Sequence, residues 1–206
     1  MNRNSELAIT SFLFLVSLPF IAAAMLAVRI AVGRPVFFTQ LRAGRGGCPI
    51  RIIKLRTMRP QPADGPALRD AERVTPVTAR LRRLRIDELP QLLAVLRGEL
   101  ALVGPRPLLP ETVAGFGAAG RRRGTVRPGL TGWAQVSGNT RLTDDEKLRL
   151  DLWYVENRSA ALDIRILLET VRVALFGERR RPERLAAAVG PARAQSARPR
   201  AGGVAR

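Results

Sequence analysis

Near its amino end the chain carries a hydrophobic run that no charge interrupts, LAITSFLFLVSLPFIAAAMLAV from Leu7 to Val28. About 20 consecutive apolar residues are enough to cross a bilayer as a helix. Pro19 falls near the middle, where it removes a backbone hydrogen bond and clashes one turn back, so a kink is expected, with Ser17 placed to satisfy a freed backbone group. The pattern then changes period. Gly33 to Gln40 is apolar and β-prone, Gly44-Arg45-Gly46-Gly47 is a turn, and Ile50 to Met58 alternates at period two, which predicts a β-hairpin. Arg59 to Pro76, polar and rich in Pro and Gly, reads as a loop, and Val77 to Arg85 as a basic helix. Leu89 to Arg97 predicts a helix with Pro90 in its first turn and Gly98 at its end. Thr112 to Gly124 is rich in small residues; after it, Pro128-Gly129 and further glycines mark turns around a short strand expected at Trp133 to Val136. Leu142 to Tyr154 is helical, with Thr143 as N-cap and Asp144, Asp145 and Glu146 in the first turn, and Asp163 to Leu175 is a second amphipathic helix. From Gly177 the composition shifts to Arg, Ala, Pro and Gly, and no ordered structure is expected of that tail. There is no internal repeat.

Charge narrows the picture. Lys and Arg number 35 against 17 Asp and Glu, a net +18, which calls for an acidic partner: nucleic acid, an anionic membrane surface or a phosphorylated substrate. Nucleic-acid binding needs aromatics interleaved with the basic residues; aromatics are only 5% of the chain and the tail from Gly177 has none, so nucleic acid is not expected as a partner. The basic tail reads instead as attracted to anionic lipid. For Leu7–Val28 three readings compete: a signal peptide, a spanning anchor, and a helix that enters one leaflet and turns back. Met1-Asn2-Arg3 is a weakly basic start and no secretory cysteine pattern follows, which counts against the signal peptide. Arg29, Arg34, Arg42 and Arg45 on one flank, and Arg3 with the terminal amine on the other, all favour the cytoplasmic side. Two flanks on one side of a central proline suit a re-entrant hairpin better than a straight span; a kinked single span stays open.

The expected fold class is therefore α+β: a re-entrant membrane helix (1–32), a small, mainly helical domain with a short β-hairpin at the membrane surface (33–176), and a basic tail without order (177–206). The 46% apolar content supports a real core. Cys48 stands alone, so no disulfide framework exists and a reducing compartment is the default. Histidine is absent, which removes His-based general catalysis and Ser-His-Asp chemistry and disfavours a zinc site. Catalysis falls to carboxylates, Arg, Lys, Tyr or hydroxyls.

The densest chemistry lies in RRLRIDELPQLLAVLRGELALVGPRPLLPE, Arg82 to Glu111. Asp87 and Glu88 stand at the amino end of the predicted helix, where acids are ordinary caps. A helix N-terminus also binds phosphate, and Arg82, Arg83, Arg85 and Arg106 are at hand to neutralise it. Carboxylates among arginines suit an anionic substrate with Mg2+, which takes one or two carboxylates plus substrate phosphates. A carboxylate can also be the nucleophile, forming an acyl phosphate. Phosphoryl transfer at a membrane surface is the reading these residues support. Lys54, one of only two lysines, and Arg56 read by themselves as a solvated strand face. Trp133 reads equally as a core aromatic and as part of a Trp133–Asn139 sugar-pocket lining.

Four blocks in order, GRPVFFTQLRAGRGGCPIRIIKLRTM, RVTPVTARLRRLRIDELPQLLAVLRGELALVGPRPLLPE, RPGLTGWAQVSGN and KLRLDLWYVEN with a following LDIRIL, resemble the bacterial sugar transferase family, the small monotopic polyprenyl-phosphate phosphoglycosyl transferases. They cover most of Gly33 to Leu167. The resemblance implies an enzyme that transfers a sugar 1-phosphate from a UDP-sugar to a polyprenyl phosphate, usually undecaprenyl phosphate. That reaction releases UMP and opens exopolysaccharide, capsule, O-antigen or glycoprotein glycan assembly. It implies Asp87 as the nucleophile that carries the phosphosugar, Glu88 as its dyad partner, Asp87 and Glu88 as Mg2+ ligands, and Lys54, Arg56, Arg82, Arg106 and Gln135 as substrate- or phosphate-binding residues. It further implies a bacterial inner-membrane protein with its catalytic domain facing the cytoplasm, and leaves a homo-oligomer open. The chain departs from the family's pattern in Asn2-Arg3-Asn4-Ser5-Glu6, in Leu18 between Ser17 and Pro19, and in Arg158 where Trp is frequent.

Overall fold

Helix α1 (Arg3–Ala31) begins where the side chain of Asn2 accepts the Ser5 N–H at 2.9 Å. The computed structural model describes residues 2–62, 64 and 66–194. The helix is continuous through Pro19. Ser17 does satisfy a carbonyl near the proline, but its hydroxyl donates to Phe14, at 2.8 Å, and not to Leu15, whose usual donor Pro19 lacks. Glu6, Thr10, Ser17, Ile21, Ala24 and Val28 are buried, three to four residues apart with half-buried Phe14 in the gap, so one face of the helix is covered along its length. Phe12, Leu15, Val16, Phe20, Leu26 and Ile30 on the remaining surface are exposed. The helix is fastened at both ends to the same body. At the amino end Arg3 donates to the Val95 and Leu96 carbonyls, and Glu6 accepts from the Leu102 N–H (3.0 Å) and from Arg127 (2.7 Å). At the carboxyl end Ala24 and Val28 pack with Leu55, Leu81 and Ile86.

The predicted hairpin is present: β1 (Phe37–Ala43) pairs antiparallel with β2 (Pro49–Leu55), Phe38 opposite Lys54 and Ala43 opposite Pro49. The region 59–76 is not wholly loop, since α2 (Asp70–Arg73) adds one turn before α3 (Pro76–Arg83). Thr75 caps α3 by accepting the Thr78 N–H. The single helix expected over Leu89–Arg97 is instead a 3₁₀ segment, Ile86–Gln91, followed by α4 (Leu92–Arg97). Pro90 has no N–H to give an α-type bond, and tighter bonds such as Glu88 N–H to the Arg85 carbonyl carry the turn. Gly98 ends α4 in the left-handed conformation, φ 85°, as expected.

Next come β3 (Ala101–Val103), α5 (Pro110–Gly115), α6 (Gly117–Arg123) and β4 (Gly129–Thr131). β3 and β4 pair in parallel, Ala101 with Gly129 and Val103 with Thr131. The strand thus lies ahead of the position expected for it, and Trp133–Val136 is a helical turn, α7, closed by the Val136 N–H on the Gly132 carbonyl. Glycine permits this pairing. A Cβ on Gly129 would stand 2.0 Å from the Gly104 nitrogen, and one on Gly132 would stand 2.1 Å from the Gly104 oxygen.

Helix α8 (Asp144–Asn157) has the expected Thr143 cap, reinforced by Glu146 reaching back to the Thr143 N–H, and α9 (Ala160–Phe176) follows. The expectation of a structureless tail does not hold for its described part. Residues Pro182–Ala194 form α10. Arg184 is buried there, its guanidinium 4.1 Å from the Trp133 ring and paired with Glu169 at 2.6 Å. The basic residues of the tail are expected at an anionic lipid surface, whereas these two contacts give Arg184 an interior place. Residues 195–206 lie outside the described residues. One core joins Leu92, Val95, Leu100 and Leu102 to Trp133, Leu150, Tyr154 and Ile166, so the segment from Ile86 to Arg106 crosses the middle of the protein.

Candidate active site

The catalytic candidates converge where β2, the 3₁₀ segment and the Gly104–Pro107 turn meet. Lys54, Glu88 and Arg106 line one cleft together with Gln40, Arg42 and Gln91, and Asp87 lies beside them within the fields of Lys54, Glu88 and Arg82. The local fold explains the convergence. The first 3₁₀ turn presents Asp87 and Glu88, and the β1–β2 register sets Lys54 opposite Phe38, its ammonium 5.4 Å from that ring. Arg106 follows Gly104, which the close approach of Gly129 pins in place.

The two carboxylates differ sharply. Glu88 is held from both sides, by Arg106 at 2.9 Å and by Arg85 at 3.6 Å. Burial alone would raise its affinity for a proton, yet those two cations hold its carboxyl below the usual range. Asp87 is 6% exposed, and no side chain pairs with it within salt-bridge distance among the described residues. Burial, and then the charge of Glu88, push its carboxyl up to about 6, against the pull of Lys54 and Arg82. Lys54 is drawn down by burial, opposed by the two acids. Arg42 is drawn down by burial and by the neighbouring charge of Arg106. Arg42, Lys54 and Arg106 form a cationic wall that an anion would neutralise.

Of the other predicted residues, Arg82 is exposed on the last turn of α3 and reaches Asp87 through its field alone. Arg56, half-buried just past β2, has no hydrogen bond or ion pair that joins its side chain to the site among the described residues. Gln135 is not in the cleft. It is buried on α7 and donates to the carbonyl of Leu130, a wall residue. Sequence reasoning missed Arg42, Arg123 and Glu178 as parts of the site. Arg123, buried and paired with Asp151 at 2.8 Å, also donates to the carbonyl of Arg106 and so braces that turn. Glu178 accepts from Arg85 at 3.3 Å. An arginine triplet gave no signal that Arg123 alone of the three is buried, and Glu178 is a single acid in a basic stretch whose partners Arg85, Asn139 and Thr140 are distant in sequence.

No group of three or more His, Cys, Asp and Glu that could hold a metal ion occurs among the described residues, so an all-protein cage is not on offer. Mg2+ bound by one or two carboxylates and completed by substrate phosphate remains compatible with Asp87 and Glu88: Asp87 has no ion-pair partner among the described residues, and Glu88 oxygens retain lone pairs beyond those its arginines use.

Comparison with known proteins places this arrangement. The family described as bacterial sugar transferase matches over residues 1–177. The chain is 42% identical over 179 residues to the uncharacterized sugar transferase EpsL of Bacillus subtilis (strain 168), which covers 86% of this chain and 89% of that protein. It is 40% identical over 173 residues to the UDP-glucose:undecaprenyl-phosphate glucose-1-phosphate transferase of Caulobacter vibrioides, covering 74% of this chain and 61% of the relative. It is 38% identical over 189 residues to the undecaprenyl-phosphate glucose phosphotransferase of Komagataeibacter xylinus, covering 84% of this chain but only 36% of that longer protein. With a family match that spans all four motif blocks and both members of the carboxylate dyad, the chain belongs to the bacterial sugar transferase family.

Proposed function

We propose that this enzyme is a phosphoglycosyl transferase that moves a sugar 1-phosphate from a UDP-sugar to a polyprenyl phosphate through a covalent intermediate on Asp87. The observation that carries the reading is the asymmetry of the dyad. Glu88 is clamped by two arginines, whereas Asp87 is buried, has no ion-pair partner among the described residues and lies in the fields of Lys54 and Arg82. An Asp87 carboxylate oxygen attacks the β-phosphorus of the UDP-sugar. The bond from that phosphorus to the bridging oxygen breaks, UMP leaves, and an aspartyl phosphosugar remains. An oxygen of the polyprenyl phosphate then attacks the same phosphorus, the acyl-phosphate bond breaks, and the Asp87 carboxylate is restored with the polyprenyl diphosphosugar as product. Lys54, Arg42 and Arg106 are placed to offset the charge of the diphosphate and of the leaving UMP. Mg2+, held by Asp87 and Glu88, would add further neutralisation of phosphate charge. The names of the Caulobacter and Komagataeibacter relatives support undecaprenyl phosphate as acceptor.

The membrane reading belongs to the same proposal. By length and composition α1 is apolar enough to cross a bilayer, and Phe12, Leu15, Val16, Phe20, Leu26 and Ile30 on it are large, apolar and exposed. Both of its ends, at Arg3–Glu6 and at Ala24–Val28, are fastened to one domain. That arrangement supports a helix that enters and leaves on one face, with the catalytic domain at the cytoplasmic surface of the inner membrane.

The test is UMP release in detergent over a panel of UDP-sugars with undecaprenyl phosphate and Mg2+. One donor should support turnover, and mass analysis should find a phosphosugar on Asp87 when the acceptor is withheld. Asp87→Asn should lower UMP release by at least about a thousandfold, since the nucleophilic oxygen is lost. Turnover near the unmodified rate in that variant would sink the assignment.

A further inference from the structure

Among the described residues only two that are not glycine have positive φ: Arg85 at 57° and Asn139 at 42°. A left-handed backbone is unfavourable for a residue with a Cβ, more so for arginine than for asparagine, and persists only where surrounding contacts impose it. One side chain bonds both. Glu178 accepts from Arg85 Nη2 at 3.3 Å and from Asn139 Nδ2 at 2.5 Å, and its second oxygen accepts the Thr140 N–H at 3.1 Å. Glu178 lies one residue beyond the stretch that the family match covers.

Arg85 is the residue from which the catalytic turn starts. Its carbonyl accepts the Glu88 N–H at 3.1 Å, and its other guanidinium nitrogen lies 3.6 Å from Glu88 Oε2. A chain of alternating charge thus runs from Glu178 through Arg85 and Glu88 to Arg106. All of its links but Arg106 are at least four-fifths buried in their side chains, where a fixed contact is screened little by solvent.

We propose that Glu178 is a positioning residue for the transfer: by gripping the Arg85 guanidinium it holds the left-handed backbone at the start of the Ile86–Gln91 turn, and so fixes where Asp87 points. This rests on the reading of Asp87 as the nucleophile. Without the grip, Arg85 relaxes toward an ordinary conformation, the turn rotates, and the attacking oxygen leaves its line with the β-phosphorus. Catalytic geometry is sensitive to displacements of about 1 Å, which can cost on the order of a hundredfold in rate.

The experiment is a double-mutant cycle on kcat for UMP release, with Glu178→Gln and Arg85→Gln made singly and together in the full chain. Glu178→Gln keeps the side-chain length and an acceptor for Thr140 but loses the charge on Arg85. It should lower kcat by about tenfold and leave KM for the UDP-sugar within about twofold. In the Arg85→Gln background the same change should alter kcat by less than about twofold, because its only route to the reaction is already cut. A residue that merely closes the Asn139–Thr140 turn would give the same factor in both backgrounds. That additivity, or an unchanged kcat in Glu178→Gln, overturns the proposal. Should Glu178→Gln lose its cooperative melt, Glu178→Asp, which keeps the charge on a shorter arm, takes its place in the cycle with the same two criteria. Failure of the unmodified protein to release UMP from any donor overturns the transfer reading and this proposal with it, whereas additive effects in an active enzyme overturn this proposal alone.

Discussion

As the proposed nucleophile, Asp87 must be buried and ionised at once, and that conflict has a thermodynamic signature. Its proton affinity is raised from an ordinary 3.8 to about 6, first by burial and then by Glu88. Between those two values the folded chain holds a proton that the unfolded chain has given up. The stability linked to Asp87 is therefore fully present below pH 3.8 and lost as pH rises through about 6. At neutral pH the ionised carboxylate costs the fold at most about 3 kcal/mol, from roughly two units at 1.36 kcal/mol each. Asn has nothing to ionise. Without Mg2+ and with a chelator present, Asp87→Asn should therefore melt above the unmodified protein at pH 7.5, and the gap should close between about pH 6 and pH 4. Thermal unfolding over a pH series checks this; a gap that does not change with pH would mean that the acid is not strained. The same variant is the one expected to lose turnover, so stability and activity move in opposite directions at one atom.

At the scale of elements, those with a strong local signal were legible. The uncharged run became α1, the period-two stretch became β2 opposite β1, and Thr143 with three acids opened α8. The core of the site was legible too: Lys54, Glu88 and Arg106 line one cleft with Asp87 beside it, because their motifs lie on adjoining elements. What stayed hidden depends on contacts distant in sequence. β4 is three residues long and is defined by its partner β3, which Gly129 alone cannot announce. Arg123 and Arg184 are interior members of arginine-rich runs, and their burial is decided by Asp151, Glu169 and Trp133. Gln135 was placed among binding residues by its motif, yet it packs behind the wall. The glycines of the two turn motifs carry a prediction of their own. Gly129→Ala would put a methyl 2.0 Å from the Gly104 nitrogen, backbone against backbone, so the strands must part. Overpacking of this kind costs about 1–3 kcal/mol, and the displaced turn carries Arg106. Gly129→Ala should lower the melting temperature and reduce kcat by more than Gly115→Ala, where an added Cβ meets nothing within 4 Å. Parity between the two in kcat and melting would show that close packing at Gly104 does not shape the site.

For the whole molecule, the proposal that α1 enters and leaves one face of the membrane rests on where its two ends are held. A helix of this length could span a bilayer, but a spanning helix leaves one end on the far side, out of reach of a domain on the near side. Here the amino end is bonded to Val95, Leu96, Leu102 and Arg127, while the carboxyl end packs on Leu55, Leu81 and Ile86. Glu6 is the decisive residue, because its buried carboxylate is satisfied by Arg3, Arg127 and the β3 backbone, and hydrocarbon offers no such partners. Spanning would strip Glu6 of the Arg127 and Leu102 contacts and carry Arg3 and Glu6 across the bilayer. The proposed entry and return on one face would keep every one of these bonds and would place the exposed Phe12, Leu15, Phe20 and Leu26 in lipid. Cysteine labelling distinguishes the two, since Cys48 is the one cysteine and is exposed near the β1–β2 turn. A membrane-impermeant maleimide should modify Cys48 in inverted inner-membrane vesicles and spare it in intact spheroplasts. Asn2→Cys in a Cys48→Ala background should behave the same way. Labelling of the residue-2 thiol from outside intact spheroplasts would place the two ends of α1 on opposite faces, and the contacts of Glu6 with the catalytic domain could not then exist in the membrane-bound enzyme.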